Sequence, residues 1–258
     1  MRVQPIQNNF KYKTPAFRSI SHTILVNPKI GEIDTNVLNR WNSSVFRGDL
    51  PIVPITEYIR KFLPFIDKIN IYDYGCSNGS EPFSLVMKFF IEFGEMAKQK
   101  IFPIIAKDVH SDVIEMAKSG KLALDVDEVD AINDHTGGNA HLFFGNYLSS
   151  CDLENDYYEV KPILSDNVLF SQADIVEDYK NIKPENSIVF ARNFWPYLSE
   201  EQRIKLAEGL YNQLDKNSRV IIGGFDSYAK DGKTETTAEK LLKKVGFKLT
   251  ENKYIYSK

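Results

Sequence analysis

The sequence predicts an α/β fold with a mostly parallel sheet, and two features lead to that prediction. Short runs rich in β-branched and aromatic residues alternate along the chain with segments in which apolar residues recur at helical spacing. In addition, a turn broken by two glycines, at residues 75–79, follows the first clear strand and opens the next helix. Strands and helices that alternate in this way form parallel sheets with right-handed crossovers.

The first predicted strand, residues 69–74, is short and both β-branched and aromatic, which is typical of a strand buried in a parallel sheet. Four more strands are predicted at residues 101–107, 168–173, 187–191 and 219–225. Residues 247–250 and 254–256 are separated by three polar residues, which indicates a closing antiparallel hairpin. The predicted sheet therefore has seven strands.

Helices are predicted between these strands, at residues 56–62, 81–93, 111–119, 200–214 and 236–244. In residues 81–93, Phe83, Val86, Met87 and Phe90 fall on one helical face, and these aromatic residues are expected in the core. Ser199 and Gln202 form a capping-box pattern at the start of the helix that runs to residue 214.

Residues 120–166 interrupt the alternation of strands and helices. Their clustered acidic residues superficially resemble a calcium loop, but the required glycine and terminal glutamate are missing. Because structureless stretches of this length are uncommon inside a compact domain, we expect an inserted subdomain that recognises a substrate or covers the site. The predicted organisation is a short N-terminal arm and helical segment at residues 1–66 and a main domain at residues 67–258. The locally basic first 40 residues are either a solvated arm or a docking surface for an acidic protein.

Composition narrows the class of protein. The 258 residues are 43% hydrophobic, which predicts a packed globule, and the formal charge of −3 does not favour a nucleic acid as partner. Only Cys76 and Cys151 occur, and neither a signal peptide nor an apolar run long enough to span a bilayer is present, so a cytoplasmic protein without membrane insertion is expected. No pair of cysteines or histidines has metal-ligand spacing, so no metal site is expected.

Three interpretations compete for the glycine turn. It is either an ordinary connection between strand and helix, or the nucleophile elbow G-x-S-x-G of an α/β-hydrolase, or a cradle for S-adenosylmethionine (SAM). The hydrolase interpretation needs a late histidine, and the last histidine is His141. A SAM cradle needs an acidic residue at the end of the next strand, where Asp108 stands. Taken alone, Asp108 fits a helix cap as well as a ribose ligand, but together with the glycines it favours ribose binding. Asp174 is placed to accept a bond from an adenine amino group.

Several motifs, collinear from about residue 43 to residue 225, are similar to those of one family. Residues 75–84 read G-C-S-N-G-S-E-P-F-S, residues 158–162 read Y-E-V-K-P, and Arg192-Asn193 is followed by Tyr197. These segments, with Asp108 and the helix at residues 111–119, resemble the CheR-type chemotaxis receptor methyltransferases, whose motifs are G-C-S-T-G-E-E-P-Y-S, Y-x-V-K-P and R-N-V-x-x-Y. The chain thus resembles a family of SAM-dependent enzymes that methylate glutamate side chains of proteins.

The resemblance implies a Rossmann-like class I SAM-dependent methyltransferase fold, SAM as cofactor and S-adenosylhomocysteine as product. It implies a protein partner with exposed glutamates, such as a chemoreceptor-like protein. Arg47 and Tyr197 would flank the transferred methyl group. The residues that would contact the cofactor are Ser43, Arg47, Gly75, Ser77, Gly79, Glu81, Asp108, Val109, Asp174, Ile175, Arg192 and Asn193.

The chain departs from the family pattern at several places. Ser80 replaces a glutamate, residues 215–218 replace K-P-G-G, residues 225–227 replace H-S-E, and the N-terminal region is shorter. Two further functions therefore stay open. One is methylation of a nitrogen, because Asn193, Pro196 and Tyr197 faintly resemble an N-P-P-Y segment, and the other is a non-catalytic SAM-binding module. Tyr197 is also open to a simpler interpretation, as an aromatic residue packed on the sheet at a helix entry.

Overall fold

The structure is a computed structural model whose main sheet has five parallel strands at its centre and an antiparallel pair at one edge. It describes residues 43–124, 126–135, 146–152, 157–228 and 236–258. The strands, in chain order, are β1 Asn70–Tyr74, β2 Ile104–Asp108, β3 Lys121–Ala123, β4 Leu148–Asp152, β5 Tyr157–Val160, β6 Val168–Gln172, β7 Ser187–Ala191, β8 Arg219–Ile221, β9 Lys248–Leu249 and β10 Ile255–Ser257.

The helices within the described residues lie between these strands. They are α1 Ile52–Phe62, α2 Ser80–Phe93, α3 Glu95–Lys100, α4 Ser111–Ser119, α5 Val126–His135, α6 Pro162–Ser165, α7 Ile175–Asp178, α8 Glu200–Gln213 and α9 Ala238–Val245. Short 3-10 helices follow at Leu63–Phe65, Tyr179–Asn181, Trp195–Tyr197 and Gly224–Ser227. Both bonds of the predicted capping box between Ser199 and Gln202 are present. No helix of the described part of the chain is long and apolar enough to cross a membrane.

The main sheet has the strand order β6-β2-β1-β7-β8-β10-β9. Strands β6, β2, β1, β7 and β8 are parallel, whereas β10 runs antiparallel to both β8 and β9. The predicted seven-stranded, mostly parallel sheet with a closing hairpin is confirmed. The order reverses between β1 and β7, and ligands of open parallel sheets bind in the crevice at the carboxyl ends of the strands at such a point.

The alternation of side chains along each strand supplies two cores, one on each face of the sheet. Ile71 of β1 and Phe190 of β7 point to one face, which is covered by α1, α2 and the inserted subdomain. Tyr72 and Val189 point to the other, which is covered by α8 and α9. All five residues of β7 are buried, so this strand places whatever follows it at a fixed point of the carboxyl edge.

Three predicted boundaries were wrong by three residues or more. Helix α1 begins at Ile52 rather than at residue 56, since Pro54 lies in its first turn, where a missing N–H costs no helical hydrogen bond. Strand β2 begins at Ile104, because Ile101 ends α3. Strand β8 ends at Ile221, and the 3-10 helix Gly224–Ser227 occupies the remainder of the predicted strand.

The inserted subdomain is a second, three-stranded antiparallel sheet of order β3-β5-β4 together with helix α5. Part of the acidic run that superficially resembled a calcium loop lies in α5, and Asp125 lies outside the described residues. Ile132 of α5 is fully buried in the same core as α1 and α2. The predicted N-terminal arm, up to residue 42, also lies outside the described residues.

Candidate active site

The glycine turn after β1 has an unusual backbone. Gly75, Ser77 and Gly79 have φ values of 76°, 52° and 90°, all in the left-handed region that side chains disfavour. A Cβ atom on Gly79 would lie 2.8 Å from Phe83 Cε2. The Gly75 N–H donates to the Lys107 carbonyl at 2.8 Å, which holds the turn against the end of β2. Both glycines are therefore required by the conformation of the turn.

Asp108, the last residue of β2, faces this turn. Its Oδ2 accepts a hydrogen bond of 3.1 Å from the Ser77 N–H and its Oδ1 one of 3.1 Å from the His110 N–H. Helix α4 has His110 as its N-cap, so Asp108 is not that helix's cap. Val109, the next residue, is half exposed at the same edge. The structure thus places Asp108 beside the glycine turn, where the ribose interpretation requires it.

Asp174 follows the neighbouring strand β6. Asp108 pairs in register with Gln172, and the Ala173 N–H donates to the Asp108 carbonyl at 2.9 Å, so Asp108 and Asp174 lie on the same edge of the sheet. The Oδ1 of Asp174 accepts a bond of 2.9 Å from the Val176 N–H and caps α7. Ile175 is buried. One oxygen of Asp174 therefore has a structural bond, and its role toward a cofactor stays a prediction.

Arg192 stands directly after β7, with its side chain only 1% exposed. Its Nη2 donates to Asp49 Oδ1 at 2.7 Å, and its Nη1 donates to Glu81 Oε2 in the first turn of α2. Burial opposes the charged form, but Glu81 and Asp49 raise the pKa of Arg192 above its ordinary value. This charge therefore joins the helix after the glycine turn to the carboxyl end of β7.

Asp49 gathers four partners from three parts of the chain. Besides Arg192, it accepts hydrogen bonds from the Gly224 N–H at 2.9 Å and from Asn193 Nδ2 at 3.4 Å, and it pairs with Arg47 at 3.3 Å. Burial raises the pKa of Asp49, but Arg192, the Gly224 N–H and Arg47 together bring it below its ordinary value. Arg47 and Arg192 are thus linked through one carboxylate.

Asn193 adopts a left-handed backbone conformation with φ of 63°. The buried Oδ2 of Asp226 accepts from its N–H at 2.7 Å, and its own Oδ1 accepts from the Phe225 N–H at 3.2 Å. A Cβ atom on Gly223 would lie 2.1 Å from that Oδ1, so only glycine fits there. Burial raises the pKa of Asp226 to about 7, against the effect of the N–H groups of Gly223, Asn193 and Trp195, which all donate to it.

Buried polar atoms at this edge lack protein partners. Among the described residues, Asp73 Oδ2, Glu81 Oε1 and Arg192 Nε have no hydrogen-bond partner. Burial raises the pKa of both Asp73 and Glu81. Such atoms usually face a ligand or water, because burial without a partner costs free energy. The donors and acceptors present therefore fit a polar, positively charged nucleoside such as SAM.

Tyr197 lies in the 3-10 helix Trp195–Tyr197 and is 48% exposed. Its ring is 6.0 Å from that of Phe225, whose ring is in turn 6.2 Å from that of Tyr228. The side chain of Arg47 is 38% exposed, and Ser43 is half-buried. Asp49 joins Arg47, Arg192 and Asn193, and Arg192 also bonds to Glu81. Tyr197 belongs to the same 3-10 helix as Trp195, whose N–H donates to Asp226 Oδ1.

Three acidic residues of the site were not predicted: Asp49, Asp73 and Asp226. Asp226 lies within residues 225–227, which depart from the family motif, and Asp49 lies two residues after Arg47. A signal did exist for Asp73, since a carboxylate inside an apolar strand is unusual unless it has a partner.

Comparison with known proteins gives the following findings. Residues 42–242 match the family described as "CheR methyltransferase, SAM binding domain". The chain is 26% identical over 158 residues to a chemotaxis protein methyltransferase of Borreliella burgdorferi, which covers 60% of this chain and 51% of that protein. It is 23% identical over 163 residues to chemotaxis protein methyltransferase 2 of Vibrio cholerae, with coverage of 63% and 52%. The chain spans about half the length of these curated relatives.

Similar solved structures include a TehB-like SAM-dependent methyltransferase from Corynebacterium glutamicum, with a TM-score of 0.39 and 11% identity over 86% of this chain and 90% of that one. Another is the magnesium protoporphyrin IX methyltransferase of Synechocystis with bound SAM, with a TM-score of 0.36 and 11% identity over 86% and 89% of the two chains.

Proposed function

The chain belongs to the CheR methyltransferase family, and from this premise we propose that it transfers the methyl group of SAM to the side-chain carboxylate of a glutamate in a protein acceptor. The family membership confirms the resemblance seen in the sequence and SAM as cofactor, and the sheet order agrees with the expected class I methyltransferase fold. The acceptor, and the roles of the individual site residues, are part of the proposal.

One observation carries the proposal: the chain of ion pairs Arg47, Asp49, Arg192 and Glu81. It ties the segment around Arg47 to the end of β7 and to the helix that opens at the glycine turn. Two guanidinium groups are thereby held by carboxylates at the edge of the sheet where ligands of this fold bind. In such an arrangement Arg192 lies on the cofactor side, and the partly exposed Arg47 lies toward solvent, from which an acceptor arrives.

Most of the residues proposed to hold the cofactor stand at or just after the carboxyl ends of four strands, β1, β2, β6 and β7. Asp108 would hold the ribose hydroxyls, Asp174 and Ile175 the adenine, and Glu81 with Arg192 the remaining polar part. Gly75, Ser77 and Gly79 keep the turn close to the ligand. Ser43, Arg47, Val109 and Asn193 complete the proposed set, and Arg47 would also face the acceptor.

The proposed methyl transfer requires the protein mainly to align the acceptor carboxylate with the methyl group of SAM. When bound, SAM would supply a methyl group on a positively charged sulfur. An oxygen of the ionised acceptor carboxylate would bond to that methyl carbon while the bond from the carbon to sulfur breaks, and S-adenosylhomocysteine would leave. A glutamate is already ionised at neutral pH, so no general base is required. Arg47 would hold the acceptor carboxylate by charge-assisted hydrogen bonds, and Tyr197 would border it, so that the reacting groups meet in line.

A methyl ester is distinguished from other products by its lability in base. The full chain is incubated with SAM labelled in its methyl group and with either a chemoreceptor cytoplasmic fragment or a synthetic glutamate-rich helical peptide. We expect label on the acceptor that is released as volatile methanol at alkaline pH, and we expect Arg47→Ala to abolish the transfer. The matched control is Arg60→Ala, at an exposed ion pair remote in sequence from the site.

Two other outcomes would contradict the proposal. Label that survives alkaline treatment indicates transfer to nitrogen. Calorimetric binding of SAM without transfer to either acceptor favours a non-catalytic binding module. Full activity of Arg47→Ala would contradict the role given to Arg47 while leaving the ester chemistry in place.

A further inference from the structure

Residues 43–50, called the arginine loop because they include Arg47, contact the inserted subdomain as well as the active site. The Val45 N–H donates to Glu128 Oε1 at 2.7 Å. The Phe46 ring stacks on the His135 ring, with centroids 4.5 Å apart and an interplanar angle of 19°. Glu128 and His135 are seven residues apart in helix α5 and therefore share one face of it. One face of helix α5 thus contacts two consecutive residues of the arginine loop, Val45 and Phe46.

Phe46, one of the two contacted residues, has an unfavourable backbone conformation. Phe46 has φ of 50°, in the left-handed region that a bulky side chain rarely adopts, and such conformations persist only where the surroundings hold them. Helix α2 adds a third contact, because the Phe46 N–H donates to Ser84 Oγ at 2.9 Å. Val45 and Phe46 are both buried. The loop is therefore fixed immediately before Arg47.

The other side of Arg47 is fixed by the active site. Two residues later, Asp49 bonds to Arg192, Asn193 and the Gly224 N–H. Arg47 consequently lies between a pair of residues held by the insertion and a residue held by the carboxyl ends of β7 and β8. A change at either end alters where its guanidinium lies.

We propose that Glu128 and His135 of the inserted subdomain are positioning residues for Arg47, so that the insertion sets the geometry at which the methyl group is transferred. The inference rests on the proposed function, because the role of Arg47 is part of it. The bond from Val45 to Glu128 is charge-assisted, which makes it stronger than a bond between neutral groups. Catalytic groups displaced by about 1 Å can lose roughly a hundredfold in rate, so an indirect hold of this kind has a large effect.

The chain offers matched variants for each contact. Glu128→Leu removes the acceptor of the Val45 N–H, whereas Glu128→Gln keeps an oxygen that can accept it. His135→Ala removes the stacked ring, whereas His135→Phe keeps a ring. Asp130→Ala alters an exposed acidic residue of the same helix and is the control for its surface charge.

The first readout does not depend on activity. Amide hydrogen exchange of Val45 should become roughly tenfold faster in Glu128→Leu, and should stay near the wild-type rate in Glu128→Gln and Asp130→Ala. Unchanged exchange in Glu128→Leu would overturn the inference. If circular dichroism shows that Glu128→Leu is unfolded, the His135 variants replace it. Amide exchange at Phe46 should then be faster in His135→Ala than in His135→Phe, and equal rates would overturn the inference.

The second readout tests whether the hold acts through Arg47. Glu128→Leu should weaken SAM binding in calorimetry and slow methyl transfer roughly tenfold, and it should have no further effect on SAM binding in the Arg47→Ala background. If the Val45 amide exchanges faster in Glu128→Leu but SAM affinity and methyl transfer stay at wild-type levels, Glu128 does not position Arg47. If the wild type methylates neither acceptor, the proposed function fails. The SAM affinities of Glu128→Leu, Arg47→Ala and the double variant still confirm or overturn the positioning role.

Discussion

Asp49 and Arg192 lie 143 residues apart in the sequence, yet Asp49 Oδ1 accepts a hydrogen bond of 2.7 Å from Arg192 Nη2. The pair connects the arginine loop to the end of the most deeply buried strand of the sheet. It also leaves Arg192, whose side chain is only 1% exposed, between two carboxylates, Asp49 and Glu81, which compensate its charge.

Replacing Asp49 by alanine should therefore affect both stability and cofactor binding. Arg192 would lose one of its two carboxylate partners and Gly224 its acceptor, which we expect to lower the free energy of unfolding by about 1–3 kcal/mol. Urea denaturation measures this loss, and calorimetry should show weaker SAM binding. The control is Glu115→Ala, which removes a carboxylate from an exposed ion pair with Lys118. SAM affinity equal to that of the wild type would contradict the role of Asp49 in arranging the site.

Asp108→Asn keeps the shape of the side chain and removes its charge. If Asp108 accepts the ribose hydroxyls, SAM affinity should fall roughly 10- to 100-fold, as for the loss of a hydrogen bond to a charged group. Asp112→Asn, at an exposed position in the first turn of α4, should bind SAM as the wild type does. Equal affinities of the two variants in calorimetry would place the ribose elsewhere.

Gly79→Ala tests the turn itself. The new Cβ would sit at φ of 90° and 2.8 Å from the Phe83 ring, so we expect a loss of about 1–3 kcal/mol in the free energy of unfolding, together with weaker SAM binding. Gly48→Ala is the matched control, since no atom of the residues that the structure describes lies within 4 Å of a Cβ at that position. The two variants are compared by thermal and urea denaturation. A Gly79→Ala variant as stable as Gly48→Ala would show that the turn tolerates a side chain.

Asp226→Asn should change how stability depends on pH. Burial raises the pKa of Asp226 from its ordinary value of 3.8 to about 7, so the folded protein holds this proton more tightly than the unfolded chain does. Its contribution to stability is full below about pH 4 and is lost as the pH rises through 7, with a slope of up to about 1.4 kcal/mol per pH unit.

Urea denaturation between pH 4 and pH 8 measures that slope. The wild type should lose stability relative to Asp226→Asn as the pH rises, whereas Asp73 and Glu81, whose pKa values are also raised, contribute equally to both proteins. A difference that does not vary with pH would mean that Asp226 is ionised throughout this range in the folded state.

Much of the fold follows from local patterns in the sequence. The β-branched and aromatic runs predict the five parallel strands, because such runs fit the buried centre of a parallel sheet. The prediction fails where a local signal conflicts with tertiary contacts. Residues 222–225 continue an apolar run, but the chain turns there because Asp226 binds the backbone of Asn193 and Trp195.

The candidate site was predictable only in part. Asp108 and Arg192 stand at strand ends, which topology brings to one edge of the sheet. Asp49 follows no strand and has no motif that reveals its distant partners, which lie between 143 and 175 residues away in the chain. The contacts of Glu128 and His135 with the arginine loop are equally invisible in the sequence, because they depend on how the insertion packs.

A crystal structure of the protein with S-adenosylhomocysteine tests the central claim most directly. We expect both ribose hydroxyls within hydrogen-bond distance of Asp108, at about 2.6–3.2 Å, and the sulfur directed toward Arg47 and Tyr197. A ligand bound away from the glycine turn, or with its sulfur directed away from Arg47, would contradict the account.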